Sequence, residues 1–352
     1  MANQNIRTPR FYTDLINYHR ARGSAIGSVT ATNASNGFVG LPTSNNVGDL
    51  LDLRPLNQVT FDTSADTDGH VLFNFTFSSS SYKQTYVAIL NHNLNSCDGR
   101  FKIFAGNASS DITALNGANA ETSDINWSSA GATEIVNADT IAASDSNKTV
   151  TVTPASDGST ILTFNETNLR YWAIQFEGDT AWDSSTDFKL GGVMIGEHFD
   201  MPQSPDLQLT RRIHYDKVDI QESLGGQRFA NATSFGRTAS STSKSPFSLG
   251  TYGQTTYGGR IIYDMNFSFL QASDLLPNET TVYQFANDSV ISDAWNLTDG
   301  PHRPFIFSID KTSTGSNAES EHMFARFNQD ALDMQQVAPD VYNISLSIAE
   351  EF

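Results

Sequence analysis

The sequence predicts a mainly β protein with two domains, and three observations support this fold class. The chain has 352 residues, more than the roughly 100–200 residues of a single domain, so two separate hydrophobic interiors are expected. Hydrophobic residues make up only 38% and charged residues 17% of the chain. Ser, Thr, Asn, Asp and Gly fill the difference, which suits strands joined by many turns. From about Leu50 onward, short apolar runs alternate with turn residues, a pattern typical of strands.

Residues 49–203 are predicted to form the first β domain. In the segment 70–77, HVLFNFTF, every second side chain is apolar, so one face is expected to be buried and the other to meet water. The buried face holds Val71, Phe73, Phe75 and Phe77. Asp-Gly pairs at 68–69 and 157–158 favour tight turns between strands. Pro202 and Pro205 stiffen the chain after the last strand, so the domain boundary is predicted there.

Residues 1–48 are predicted to form an arm and a long loop in front of this domain. The arm mixes arginines with apolar anchors, as do segments that lie along another protein, and one short helix fits between Pro9 and Gly23. Basic residues outnumber acidic ones over the first 54 residues, which favours either docking on an acidic neighbour or ordinary solvated charge. The candidate subunit contacts are Arg7, Arg10, Phe11, Tyr12, Arg20 and Arg22.

Residues 204–352 are predicted to form the second β domain, with one short helix. GRIIYDMNFSFL at 259–270 is a clear strand, and the segments PFIFSID, HMFARFN and VYNISLSIAEEF are expected to be the closing strands. The segment 276–289 is the best helix candidate, because Asn278 is a plausible cap and Val282 and Phe285 share a helical face. A Gly/Ser/Thr-rich region at 224–257 is either a long hairpin or an ordered loop.

The formal net charge of −18 would repel a phosphate backbone over most of the surface, so nucleic acid is excluded as a partner. The single cysteine, Cys97, has no partner for an internal disulfide and is expected to be a buried, inert thiol. The N-terminus lacks the apolar core of a secretory signal, and no stretch approaches the roughly 18 apolar residues of a membrane helix. We therefore expect a soluble chain, made in a cytoplasm, without membrane insertion.

The sequence predicts no catalytic residue, no cofactor and no enzyme. Glu197-His198 and Glu321-His322 lack the second histidine of a metalloprotease helix. The serine hydrolase motif G-x-S-x-G is absent, and the Gly-rich stretches lack the Lys-Ser/Thr of a phosphate loop. Paired carboxylates for glycoside hydrolysis stay open, because 39 acidic residues offer many pairs.

Two weak ligand candidates remain. Ser64, Asp66 and Asp68 have the alternate spacing of a calcium loop but lack its closing glutamate, so Asp66 and Asp68 are weak calcium candidates and a hairpin turn is the alternative. Trp127 and Trp182 are carbohydrate-binding candidates if their rings are exposed, whereas Trp172 lies in an apolar strand and is expected in the core.

The central domain resembles the galactose-binding-like, or discoidin-like, jelly roll. The resemblance rests on TYVAILNHNL at 85–94, LRYWAIQFEG at 169–178 and KLGGVMIGEHF at 189–199. In phage members of that fold, one strand ends in His-Asn-Leu, a later strand has an Arg-Tyr-aromatic element and the last strand ends in Gly. The matching residues are His92-Asn93-Leu94, Arg170-Tyr171-Trp172 and Gly196.

The C-terminal part resembles the tail-tube-like β domain of phage distal tail and adaptor proteins, which end on an alternating strand closed by an acidic residue, as residues 343–350 do here. The opening NIRTPRFYTDLINY is similar to proteins of marine tailed phages. The resemblance implies a virion protein of the tail, distal-tail or adaptor-like, that forms a homo-oligomeric ring and contacts other phage virion proteins. Two alternatives stay open: a carbohydrate-binding adhesin that meets a host-surface glycan, and a capsid decoration protein.

Overall fold

The computed structural model describes residues 7–22, 29–30, 47–77, 82–109, 131–144, 149–214, 219–231, 260–276, 290–314 and 318–351. The chain is mainly β, as predicted. The described strands are β1 (Arg10–Tyr12), β2 (Val29–Thr30), β3 (Val59–Phe61), β4 (Val71–Thr76), β5 (Gln84–His92), β6 (Gly99–Gly106), β7 (Thr133–Val136), β8 (Ala138–Ser144), β9 (Thr149–Pro154), β10 (Gly158–Thr167), β11 (Tyr171–Gly178), β12 (Phe188–Leu190), β13 (Gly192–Gly196), β14 (His198–Asp200), β15 (Thr210–His214), β16 (Asp219–Glu222), β17 (Arg228–Asn231), β18 (Arg260–Gln271), β19 (Phe305–Ser308), β20 (His322–Phe327), β21 (Met334–Ala338) and β22 (Val341–Glu350). The described α-helices are α1 (Leu15–Ala21), α2 (Ala272–Leu275) and α3 (Val290–Leu297).

The central part of the chain forms two antiparallel sheets with a shared interior. One sheet has the order β13-β5-β10-β7 and the other β2-β4-β11-β6-β9-β8. Phe164 of the first sheet stacks on Trp172 of the second, with ring centroids 5.8 Å apart. The two-stranded sheet β3-β12 adds Phe61 and Phe188, which also stack. Trp172 is fully buried, which confirms its predicted place in the core.

Strand β4 shows the predicted alternation, with one departure. Val71, Phe73, Phe75 and Phe77 are all buried, at 1% exposure or less, as the pattern predicts. The opposite face was expected to meet water, yet Leu72 is only 2% exposed. It belongs to a small cluster with the buried side chains of Phe104 and Ala173 from β6 and β11. The outer face of this sheet is therefore partly apolar and covered.

The third large sheet brings both ends of the chain together. Its order is β14-β1-β19-β20-β22-β18-β15, and β21 pairs with β22. Strand β1 comes from the N-terminal arm, and β14 comes from the last residues before Pro202. The N-terminal segment packs closely on the central part, since a Cβ at Gly196 would lie 1.9 Å from the Thr13 carbonyl oxygen.

The hydrophobic interior is continuous, although two separate interiors were expected. One cluster of buried apolar side chains runs from Phe73 and Val87 of the central sheets to Phe307 and Leu346 of the third sheet. The expectation failed because β1 and β14 join the third sheet, so apolar residues on both sides of the predicted boundary meet. The sequence pattern around Pro202 shows where the chain turns but not how the sheets pack.

The helices are few and short. Helix α1 lies between Pro9 and Gly23 as predicted, and the Asp14 carboxylate caps it by accepting hydrogen bonds from the Ile16 and Asn17 amides at 2.9 and 3.2 Å. The helix predicted at 276–289 falls almost wholly outside the described residues. Helices α2 and α3 lie on either side of that segment, so the expectation of one helix in the C-terminal part is wrong.

Candidate protein interface

Two of the predicted subunit contacts, Phe11 and Tyr12, are buried inside their own chain. Both side chains are 0% exposed, because β1 lies between β14 and β19 within the third sheet. The Phe11 ring packs against Phe307 with centroids 5.5 Å apart, and the Tyr12 ring meets Tyr86 edge-on at 5.0 Å. The prediction that these residues contact another subunit is therefore wrong, since their apolar surface is used in the core.

Arg10 is also engaged within the chain. Its guanidinium donates to both carboxylate oxygens of Asp200, with Nε–Oδ1 2.5 Å and Nη2–Oδ2 2.9 Å. Its side chain is only 12% exposed. Burial alone would raise the pKa of Asp200, but the hydrogen bond and charge of Arg10 outweigh burial and hold that pKa below its usual range. This residue joins the arm to its own chain, and its contact with another subunit stays a prediction.

The other three arginines of the arm lie at the surface and also have partners within the chain. Arg7 Nη1 donates to Thr312 Oγ1 at 3.0 Å, and Arg20 Nη1 donates to the Leu51 carbonyl at 2.6 Å. Arg22 pairs with Asp299 at 2.9 Å. Contact of Arg7, Arg20 or Arg22 with another subunit stays a prediction.

Trp182 is a core residue, so its prediction as an exposed sugar-stacking ring is wrong. The side chain is 3% exposed, its Nε1 donates to the Gly69 carbonyl at 2.6 Å, and its ring stacks on Phe188 with centroids 5.4 Å apart. The polar neighbours of Trp182 suggested a loop at the surface, but the indole folds inward over the end of the sandwich. The second sugar candidate, Trp127, lies outside the described residues.

The calcium candidates Asp66 and Asp68 lie in the turn between β3 and β4. The Gly69 amide donates to the Asp66 carbonyl at 3.0 Å and closes this turn, while the Ser64 hydroxyl donates to Asp187 at 2.7 Å. Among the residues that the structure describes, no group of three His, Cys, Asp or Glu side chains could hold a metal ion.

The most exposed apolar surface of the described chain is a β-hairpin, which we call the hairpin arm (residues 219–231). Strands β16 and β17 pair with each other and with no other described strand. Exposure reaches 61% at Ile220, 112% at Leu224 in the turn and 56% at Phe229. Gly226 takes the positive φ of 81° that the turn requires. The Gly/Ser/Thr-rich region predicted at 224–257 contributes the turn and β17 to this hairpin, and its remainder lies outside the described residues, so the choice between a long hairpin and an ordered loop stays open.

Three strands of the third sheet, β14, β15 and β21, have an unpaired side among the described residues, and β15 and β21 expose most of their side chains. Strand β15 pairs only with β18, and all five of its side chains are exposed. Strand β21 pairs only with β22, and four of its five side chains are exposed. We call β15 and β21 the two open edges. An exposed strand edge offers unpaired N–H and C=O groups to another chain.

Phe269 adds an exposed aromatic ring near one open edge. Its side chain is 76% exposed, and its φ of +62° is unusual for an aromatic residue. It lies at a bulge in the pairing of β18 with β22, where its amide donates to Asn343 Oδ1 at 3.0 Å. A large exposed ring on strained backbone suggests a functional constraint.

A cleft of about 590 Å³ lies between residues 52–57, 302–303 and the C-terminal segment. Its charged lining is largely paired within the chain. Arg326 pairs with Glu351 at 3.4 Å, and Arg303 pairs with Asp299. Both ion pairs join residues of the C-terminal part of the chain, and much of the exposed apolar surface lies instead at the hairpin arm and near the open edges.

The sequence contains signals for the hairpin arm and for the open edge at β15, although neither was predicted from it. Gly225-Gly226 is a turn pair flanked by the apolar residues Ile220 and Phe229, which is a hairpin signal. Adjacent Arg211 and Arg212 place a charge on each face of β15, and charge on both faces marks an exposed edge strand.

Comparison with known proteins identifies no relative. No family model matches the chain, and neither a curated protein nor a solved structure is significantly similar to it. Within the described part of the chain, no helix is long and apolar enough to cross a membrane.

Proposed function

We propose that this chain is a structural virion protein of a tailed bacteriophage, a distal-tail or adaptor component that works by binding other proteins. The observation that carries the proposal is the hairpin arm, in which Ile220, Leu224 and Phe229 are each more than half exposed. Exposed apolar patches mark interaction surfaces in soluble proteins. Burying one such side chain in a partner stabilises the complex by roughly 1.5–3 kcal/mol.

The shape of the hairpin arm also favours assembly over catalysis. A two-stranded hairpin alone is marginally stable in water, and none of its described side chains is buried against the rest of the chain. A partner surface would supply the burial that it lacks. In the cleft, Arg326 and Glu351 form an ion pair, and Arg303 pairs with Asp299.

The assignment of the central part to a galactose-binding-like jelly roll is part of the proposal. It is supported by two antiparallel sheets that share an interior. The positions of the residues that carry the resemblance also support the proposal: His92 ends β5, Arg170 precedes β11 and Gly196 ends β13. His92 Nε2 bonds Thr160 Oγ1 at 2.9 Å, so this histidine has a packing role.

The assignment of the C-terminal part to a tail-tube-like β domain is likewise proposed. Support comes from the long antiparallel pair β18–β22 and from the alternation along β22, where Ile344, Leu346 and Ile348 are buried. The strand ends at Glu350, whose carboxylate accepts the Ile261 amide at 3.0 Å. The third sheet would then form the subunit contacts of a ring.

Labelling of intact particles tests the proposal. An antibody against this chain should decorate purified phage particles at the tail, and mass spectrometry should find the chain among their proteins. Decoration of the head would favour the capsid decoration protein instead. Absence of the chain from particles would overturn the proposal. A chain with Ile220→Ser, Leu224→Ser and Phe229→Ser should fold but fail to enter particles. Leu276→Ser is the matched control, because it also replaces an exposed apolar side chain by serine but lies outside the hairpin arm.

A further inference from the structure

The two open edges lie on opposite sides of one sheet. Strand β22 is flanked by β18 on one side and by β20 and β21 on the other. Strand β15 follows β18 and ends the sheet on that side. An element that continues the sheet beyond β15 and an element that continues it beyond β21 would therefore extend it in opposite directions.

The strand directions at the two edges match. Neighbouring strands are antiparallel throughout the series β21-β22-β18-β15. Strands β15 and β22 therefore run one way, and β21 and β18 run the other way. If β21 of a second copy is placed beside β15, the pair is antiparallel and the alternation continues without interruption.

The charges at the two edges are opposite. The segment 209–214 contains Arg211, Arg212 and His214 and no acidic residue. The segment 330–340 contains Asp330, Asp333 and Asp340 and no basic residue. Opposite charges across a strand pair stabilise it, and like charges directly opposite destabilise it.

We propose that β15 of one copy pairs with β21 of a second copy, so that the third sheet runs from subunit to subunit. This inference rests on the proposed assembly function and names its partner as a second copy of this chain. The contact is head-to-tail, and repetition of a head-to-tail contact closes a ring or extends a filament.

The core-facing side chains fix the register. Ile213 lies opposite Ile261 and Met334 opposite the buried Ile344, so both Ile213 and Met334 point to the core side of the sheet. A continued sheet must keep them on one face. The register that places Ile213 opposite Met334 pairs two apolar side chains and also puts His214 opposite Asp333.

Pairing of like edges is disfavoured. Two β15 strands in antiparallel register about their centre would place Arg212 opposite its own copy, and two β21 strands would bring their flanking aspartates together. The complementary edges avoid both repulsions. Charge therefore selects the head-to-tail arrangement over a two-fold dimer through either edge.

The proposed contact is staggered along the strands. In the proposed register Arg212 faces Gln335. Arg212 lies level with Ala349 of β22 through Ile262, whereas Gln335 lies level with Asn343. Six residues along β22 separate these two levels, or about 20 Å at a rise of about 3.3 Å per residue. Strands in a closed ring of such copies must therefore tilt relative to the ring axis.

Cysteine cross-linking tests the pairing. The double variant Ile213→Cys/Met334→Cys, oxidised in the assembled state, should give a ladder of disulfide-linked oligomers on a non-reducing gel. The native Cys97 does not interfere, because it is buried and burial raises the pKa of its thiol far above the usual range. The matched control Ile213→Cys/Gln335→Cys places the thiols on opposite faces of the sheet and should give no ladder.

The remaining outcomes separate the two proposals. A covalent dimer from Ile213→Cys alone would show β15–β15 pairing and overturn the inference. Oxidation of the double variant could instead give only monomers in which neither introduced cysteine has a free thiol. That result would overturn the inference too, because the two edges would then meet within one chain. If the double variant enters phage particles without a ladder, the head-to-tail pairing is wrong while the virion function stands. If the wild-type chain is absent from particles, the virion function itself fails.

Discussion

The Arg10 guanidinium and the Asp200 carboxylate form a two-point ion pair, with Nε–Oδ1 2.5 Å and Nη2–Oδ2 2.9 Å. The pair joins β1 of the N-terminal arm to β14, 190 residues later. Lys311 approaches the same carboxylate at 3.5 Å. The arm is thus part of the third sheet of its own chain, and its charges contribute to folding.

We expect Arg10→Ala to lower the free energy of unfolding by about 1.5–3 kcal/mol, because a charge-assisted hydrogen-bonded pair is lost in a partly buried setting. Urea denaturation measures this change. Arg54→Ala is the matched control, since Arg54 is exposed and surface substitutions change stability by less than about 0.5 kcal/mol. Equal stability of the two variants would show that the pair does not hold the arm.

Trp182 is predicted to matter for stability and not for sugar binding. Trp182→Ala should lower the unfolding free energy by about 3–5 kcal/mol, because a large buried ring leaves a cavity, and because the Gly69 carbonyl loses its indole donor. Trp182→Phe should cost less, since the ring stacking on Phe188 is retained. An alanine variant as stable as the wild type that has lost glycan binding would contradict this account.

Stability is predicted to fall on mild acidification. Burial lowers the pKa of His92 to about 3. Burial is also the largest cause that lowers the pKa values of His19, His198 and His322 to about 4. In the unfolded chain each imidazole titrates near 6.5, so the unfolded state binds protons first and the unfolding free energy decreases between about pH 6.5 and pH 4. Asp14 acts in the opposite direction, because burial raises its pKa to about 6 and its protonation favours the folded chain.

Urea denaturation at about pH 7.5 and about pH 5 measures this dependence. The His92→Gln variant removes one of the four histidines, so its loss of stability between these two values should be smaller by roughly 2 kcal/mol. A wild-type chain that is equally stable at both values, or a variant with the same dependence as the wild type, would contradict the assignment.

Phe269 is predicted to be dispensable for folding. Phe269→Asn should leave the unfolding free energy unchanged or raise it by up to about 1 kcal/mol, because asparagine tolerates a positive φ and the ring is mostly exposed. The neighbouring Phe267 is fully buried, so Phe267→Ala should cost about 3–5 kcal/mol. If the Phe269 and Phe267 variants lose similar stability, the ring at 269 is structural and not a surface anchor.

Local pattern predicted the strands well and the packing between them poorly. The alternation in β4 and in β22 identified their buried faces, since every second side chain there is apolar. Helix α1 followed from its proline and glycine boundaries, whereas its cap, Asp14, was identified only from the structure. Helix α3 is also indicated by the sequence, because Ile291, Ala294 and Leu297 recur at helical spacing. The helix was instead predicted in the preceding segment, where Asn278 is a plausible cap.

The exposed surface was harder to predict, because exposure depends on long-range pairing. Phe11 and Tyr12 look like surface anchors beside Arg10, and only the pairing of β1 with β14 and β19 buries them. Conversely, β15 and β21 become open edges only once the order of the sheet is known. Sequence periodicity reports which face of a strand is apolar, but not which strands end a sheet.

Hydrogen exchange tests most directly whether the hairpin arm and the open edges are covered by protein in the assembled state. Amides in 210–214, 219–231 and 334–338 should exchange rapidly in the free chain and slow by at least about tenfold in the particle, equivalent to about 1.4 kcal/mol of added protection. Amides of β5 and β11, buried in both states, are the internal reference. Unchanged exchange at all three segments in the particle would contradict the account.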